Sequence, residues 1–227
     1  MKPNFALLAG QILGMFVLFA LALFVPAGTL AWPAGWAMLV MFFGFTIAIS
    51  LWLARYDPAL LNERTRGTAA FEKGWDQALI AFIGLMFFGW LVLMPLDAVR
   101  FQWSQMPASL QVTGALVLLA SFYVLYRTFR ENTFLSQGVR IQSERSHTVV
   151  STGPYGVVRH PMYAGAALLF LGTALLLGSW YGVLGALLLT VLVGLRAVLE
   201  ERALREELPG YDAYTGRVRY RLIPRVW

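Results

Sequence analysis

The chain has 227 residues, of which 59% are hydrophobic, 15% aromatic and only 13% charged, with a mean hydropathy of +0.64. Soluble domains carry about 25% charged residues, so this composition excludes an ordinary soluble domain and points to an integral membrane protein. There is no cysteine, which removes disulfides and Cys-ligated metals, and two histidines leave little for another metal centre; the net charge of +6 sits in short loops between apolar runs, a pattern of membrane orientation and not of nucleic-acid binding.

Apolar runs near Phe5–Val25, Gly35–Leu53, Leu79–Leu96 and Leu110–Tyr126 each approach the ~20 residues that span a bilayer at ~1.5 Å per residue, and read as four transmembrane helices. Between Pro161 and Leu195 no residue is charged. As one helix that run would reach about 52 Å, beyond a hydrocarbon core of about 30 Å, so it must fold back. Gly178-Ser179 is the natural turn, giving a hairpin of two helices of roughly 15–18 residues each. The expected fold is therefore all-α, with about six transmembrane helices. Residues 1–126 hold the first four, and residues 127–227 hold a loop, the hairpin and an amphipathic tail, all within one integrated membrane domain.

Seventeen of the eighteen Lys and Arg residues fall on one side of this arrangement and only Arg100 on the other. The positive-inside rule then puts both termini in the cytoplasm. The first apolar run is longer than a signal-peptide core and lacks a small-residue cleavage pattern, so it reads as a retained helix, and a bacterial inner membrane is the simplest address. Gly10 and Gly14, like Gly178 and Gly182, have the small-xxx-small spacing that lets helices approach closely. The 54–74 loop, with Asp57, Pro58, Glu63, Arg64, Arg66 and Lys73, reads as a solvated connector whose charges could alternatively gate an entrance.

Neither G-x-G-x-x-G nor a P-loop pattern occurs, so any cofactor must be held by another device. The richest stretch is residues 151–165, where a basic, aromatic, Pro-broken loop runs directly into an uncharged span. Pro161 suits the first turn of a helix, and the free N–H groups of that turn would face Arg159 and His160, making an anion site flanked by Tyr155 and Tyr163. At the far end of the hairpin, i, i+4 spacing places Arg196 by Glu200 and Glu201 by Arg205. These are either plain helix salt bridges or, because the hairpin returns the chain to the same membrane face, partners of Arg159-His160 in one pocket. Upstream, Asn132-Thr133-Phe134, Gln142 and His147–Val150 form a polar-to-apolar, strand-like segment that taken alone reads as ordinary connector. Downstream, Tyr211, Tyr214, Val218, Arg221 and Ile223-Pro224 read as an amphipathic tail at the interface, with a lid over the pocket as the less favoured alternative.

Taken together, His147-Thr-Val-Val, Gly153-x-Tyr155, Arg159-His160-Pro161-x-Tyr163-x-Gly165, the Arg196…Glu200-Glu201 cluster and the closing Tyr-x-x-Tyr…Ile-Pro tail resemble the isoprenylcysteine carboxyl methyltransferase family over roughly residues 130–225. The resemblance implies a helical membrane enzyme with a cytoplasmic pocket for S-adenosyl-L-methionine. It also implies a lipophilic or small-molecule acceptor, a carboxylate, thiol or amine, reached from the membrane lipid. It assigns Gln142, His147, Thr148, Val149, Val150, Tyr155, His160, Pro161, Met162, Tyr163 and Glu200 to the cofactor, with Glu201 competing for the role of Glu200. Arg196, or Arg159, would orient an anionic acceptor. An ionised carboxylate or thiolate needs only in-line placement about 3–3.5 Å from the methyl group, whereas an amine must first lose a proton. Membrane steroid and sterol reductases are similar in the same carboxyl-terminal pattern. An NADPH-dependent reductase would need extra basic residues for a 2′-phosphate, which Arg127, Arg130, Arg140 and Arg145 could supply. A non-enzymatic membrane subunit is the third reading.

Overall fold

The computed structural model describes residues 4–65 and 71–227, so Arg66 of the connector lies outside the described residues. The first two apolar runs form helices α1 (Phe5–Ala27) and α2 (Pro33–Tyr56), and α2 hands over at Asp57, whose side chain caps a short helix α3 (Pro58–Arg64). Helix α4 (Gly74–Pro95) continues as one wider turn over Leu96–Arg100, after Pro95 has removed a backbone donor. Helix α5 (Ala108–Glu131), α6 (Pro161–Leu177), α7 (Trp180–Glu207) and the short α8 (Tyr211–Arg217) complete the chain. Among the described residues, five helices are long and apolar enough to cross a membrane, and α6, with 17 residues, is the shorter sixth apolar helix. The protein is an all-α integral membrane protein.

Local chemistry explains the hairpin turn. Gly178 adopts φ +80°, a conformation that penalises any side chain, and Ser179 starts α7 by accepting from the Gly182 N–H at 2.7 Å. The same hydroxyl donates to Asp97, a fully buried carboxylate at the start of the α4 continuation that also accepts from Ser104 at 2.6 Å. Helix α7 runs 28 residues, well beyond the 15–18 expected, because the Arg- and Glu-rich stretch after Leu195 stays helical. At ~1.5 Å per residue it is about 42 Å long, so its last turns project beyond a ~30 Å hydrocarbon layer and carry the charged residues with them.

Lipid tails are as apolar as leucine, so close backbone fit holds such helices together. The tightest pairing is α5 on α6, where a Cβ on Gly172 would lie 2.7 Å from the Leu118 nitrogen and one on Gly114 2.3 Å from the Leu176 nitrogen. Gly182 packs against Met94 in the way its spacing predicts. Gly10 and Gly14 do not: nothing among the described residues lies within 4 Å of a Cβ built on either, so the expected packing role is not met inside this chain. The 143–150 segment is likewise no strand, since Ser143–Arg145 form a single 3-10 turn and no strand occurs among the described residues.

Candidate active site

Where α7 leaves the membrane layer, its last turns meet the 132–160 loop, the start of α6, Arg64, Phe71 and α8, and enclose a cavity of about 400 Å³. That volume lies in the range of small-molecule sites. The floor is an ion network around Glu201, which is 2% exposed. Arg159 reaches it with Nε at 2.6 Å and Nη2 at 3.3 Å, Arg221 with Nε at 3.0 Å, and His160 with Nε2 at 3.2 Å. The remaining Arg159 bonds go to the carbonyls of Val218 and Arg219, both at 2.8 Å. Tail and loop are also joined by backbone, with the Arg159 and His160 N–H groups donating to Tyr220 and Arg221 carbonyls at 2.9 Å.

This corrects two expectations. Arg159 is a clamp, not a free anion receptor, because four of its five donors are committed to the protein. Nor are the α7 charges paired along their own helix as i, i+4 spacing suggested: Arg205 bonds Asp212 at 2.5 Å, and Glu201 faces the 159–160 loop. Helix spacing permits those pairs, but for the buried Glu201 and Arg196 partners from other elements give better geometry and exclude water.

Above the floor runs a second chain of polar groups. Arg196 forks onto Asp76, with Nε to Oδ1 at 2.8 Å and Nη2 to Oδ2 at 3.0 Å, and also donates to the Gln137 carbonyl at 2.8 Å. Its Nη1 donates to the Tyr163 hydroxyl at 2.7 Å, and that hydroxyl donates onward to Glu200 Oε2 at 2.6 Å. Asp76 is wholly buried and accepts a third bond from the Val139 N–H at 2.7 Å, which ties α4, α7 and the loop together. Sequence reading missed Asp76. A lone aspartate in the first turn of an apolar run, in the only acidic position of α4, was the available signal.

The expected site residues divide clearly. His147, Thr148, Val149, Val150, Tyr155, His160, Met162, Tyr163, Arg159, Arg196 and Glu200 line the cavity. Gln142 does not: fully buried, it donates to the Phe134 carbonyl at 2.7 Å and accepts from Arg145 at 2.6 Å, so it braces the loop behind the cavity. Pro161 is the first residue of α6 and lies outside the lining, and Glu201 sits beneath it. Between the two adjacent glutamates, Glu200 is therefore the one that faces the open volume, and its Oε1 has no protein partner among the described residues. His147 stacks on Phe134 at 4.4 Å, and burial, then the charges of Arg145 and Arg140, lower its pKa to about 4.

The tail is not an interfacial float. Tyr211 and Tyr214, 4% and 2% exposed, form a cavity wall, and the Tyr214 hydroxyl donates to the Tyr155 carbonyl at 2.8 Å. Tyr155 accepts from Asn132 at 2.9 Å, and burial raises the phenol pKa of Tyr155 and Tyr211, and that of Tyr214 to about 12, so all three stay neutral. The 54–74 connector is also more than solvated chain, because Arg64 and Phe71 line the cavity and Glu63, 5% exposed, binds Arg140 at 3.0 Å.

The arginines that a 2′-phosphate pocket would need are placed otherwise. Arg127 and Arg130 do not line the cavity, Arg140 is held by Glu63, Glu72 and Glu144, and Arg145 by Thr133 and Gln142. Residues 106–209, somewhat under half of the chain, match the family model described as phospholipid methyltransferase. No curated protein matches the chain.

Proposed function

We propose that this chain is a membrane methyltransferase that takes its methyl group from S-adenosyl-L-methionine and passes it to a lipophilic or small-molecule acceptor drawn from the membrane, a reading that the phospholipid methyltransferase pattern of residues 106–209 supports. The observation that carries the reading is the Glu200 carboxylate, open on one oxygen inside a cavity walled by Tyr155, Tyr211 and Tyr214. A carboxylate among aromatic faces suits a ligand that is cationic at sulfonium and ammonium and carries ribose hydroxyls. The isoprenylcysteine methyltransferase resemblance extends to the same residues, but nothing in the cavity speaks for a prenyl group, and that acceptor is not proposed.

When bound, the donor supplies an electrophilic methyl carbon, to which the acceptor's lone pair bonds as the carbon–sulfur bond breaks. The protein's part is positioning and water exclusion. His147, Val149 and Val150 with Leu204 and Leu208 form the apolar sides, and Glu200 fixes the cationic portion. Tyr163 and Arg196 hold Glu200 in place from behind. We place the cavity on the cytoplasmic side of a bacterial inner membrane, where seventeen of eighteen basic residues fall.

Calorimetric titration of the detergent-purified protein with S-adenosylmethionine, S-adenosylhomocysteine and NADPH tests this. Saturable binding of the adenosyl ligands, weakened at least ~10-fold in Glu200→Gln, is expected. NADPH binding without adenosyl binding would overturn the reading.

A further inference from the structure

After α8 the chain turns back on itself. The backbone oxygen of Trp227 accepts from the N–H groups of Arg221, Leu222 and Ile223 at 2.9, 3.0 and 3.1 Å, and the Trp227 N–H donates to the Ile223 carbonyl at 3.1 Å. Residues 221–227 are thus a closed loop, which returns the Trp227 indole to α7. There it covers Gly194, which is buried and on which a Cβ would stand 3.3 Å from the far edge of the ring. Only a residue without a side chain lets the indole lie this close to the helix backbone.

The seated indole meets Arg221, whose guanidinium lies 5.3 Å from the centre of the ring. Arg221 is also the outermost partner of Glu201: its side chain is 30% exposed, against 6% for Arg159 and for His160. An ion pair with one exposed member is weak, because water competes for it and the long side chain must be held still. The Trp227 face supplies that restraint. The two oxygens of Glu201 are divided accordingly. Oε2 takes Arg221 at 3.0 Å, while Oε1 takes Arg159 Nε at 2.6 Å and His160 Nε2 at 3.2 Å. The carboxylate can only accept, so this last bond puts a proton on His160 Nε2. Without Arg221, nothing but Arg159 Nη2, at 3.3 Å, holds Oε2, and the carboxylate is free to rotate into a full fork with Arg159 and away from His160.

We infer that Trp227 is a positioning residue of the cavity: seated on Gly194, its indole holds Arg221 on the second oxygen of Glu201 and thereby fixes the orientation in which His160 presents its ring to the ligand. The route is contiguous. His160 lines the cavity and stacks on Tyr163 at 5.5 Å, and Tyr163 in turn holds Glu200. Trp227 itself is not among the residues that line the cavity, so it acts through these contacts alone. That the ligand is the methyl donor rests on the proposed function, whereas the effect on His160 is a property of the chain without ligand.

The test reads the histidine ring nitrogens by NMR in the detergent-purified full chain. The chain has two histidines, and His147→Asn assigns the signals of His160. Trp227→Ala should shift the His160 Nε2 signal and leave those of His147 in place. Gly194→Leu, which lifts the indole off α7 without altering the tail, should give the same shift, and Trp227→Phe, which keeps an aromatic face for Arg221, should restore most of the wild-type position. S-adenosylhomocysteine, titrated by calorimetry, should bind Trp227→Ala and Gly194→Leu ~5-fold or more weakly and Trp227→Phe within ~2-fold of wild type. An unmoved His160 signal in Trp227→Ala overturns the inference. So does a shift of both histidines together, which would make the tail a purely structural element, and so does equal S-adenosylhomocysteine affinity in wild type and Trp227→Ala. If the His160 signal moves as expected but S-adenosylhomocysteine fails to bind even the wild type, the donor reading falls and the positioning of His160 by Trp227 stands.

Discussion

The Tyr163 hydroxyl donates to Glu200 at 2.6 Å while accepting from Arg196, so a single phenol couples the buried Arg196–Asp76 pair to the one glutamate that faces the cavity. Tyr163→Phe keeps the ring stacked on His160, 5.5 Å away, and removes only this coupling. The expected result is a ~10–100-fold loss in donor affinity or turnover, about 1.4–2.7 kcal/mol, with the melting temperature changed by only a few degrees. Donor titration beside thermal unfolding reads both.

Asp76 answers to stability. Its removal strands Arg196 in a buried position, and breaking one partner of such a pair costs about 3–5 kcal/mol. Asp76→Ala should therefore express poorly or melt far below the wild type. Asp76→Asn, which can still accept from the Val139 N–H, should fall between the two in a detergent melting series.

The adjacent glutamates should separate by phenotype. Glu201→Gln loses the charge that Arg159, Arg221 and His160 share, and should lower thermal stability markedly. Glu200→Gln should leave melting within about 0.5 kcal/mol while weakening the donor. Equal melting losses in the two variants would show that the two carboxylates do not divide the work this way.

The His147 pKa is about 4 in the folded chain, against ~6.5 when unfolded, so between these values the unfolded state holds the extra proton. Stability from this group is complete above ~6.5 and lost as pH falls toward about 4. Melting temperatures measured from pH 7 to 4.5 should drop less steeply in His147→Asn, whose side-chain oxygen can replace the Nδ1 acceptor for the Gln142 N–H. An unchanged slope would mean that other groups govern acid sensitivity.

Much of the fold was legible because its determinants are local. Apolar run length against bilayer thickness marked the long spans, and a 35-residue uncharged run with Gly178-Ser179 in its middle could only turn there. The motif residues His147–Val150, Tyr155, His160, Met162, Tyr163 and Glu200 were found by pattern, and they converge on one cavity. Helix boundaries after Leu195 were less clear, because charge ends a membrane span without ending a helix.

The sequence by itself determined that this is a membrane protein of long apolar helices with its basic residues on one side, since hydropathy, length and turn chemistry are properties of short segments. Only the tertiary structure decided which charges meet. Arg196 chose Asp76, 120 residues away, over Glu200 one turn along its own helix, and Arg159 was spent on Glu201 while Arg64 was left open to the cavity. Pairing of buried charges depends on which groups lose water together, and that is set when the loop, the α7 end and the tail close on one another.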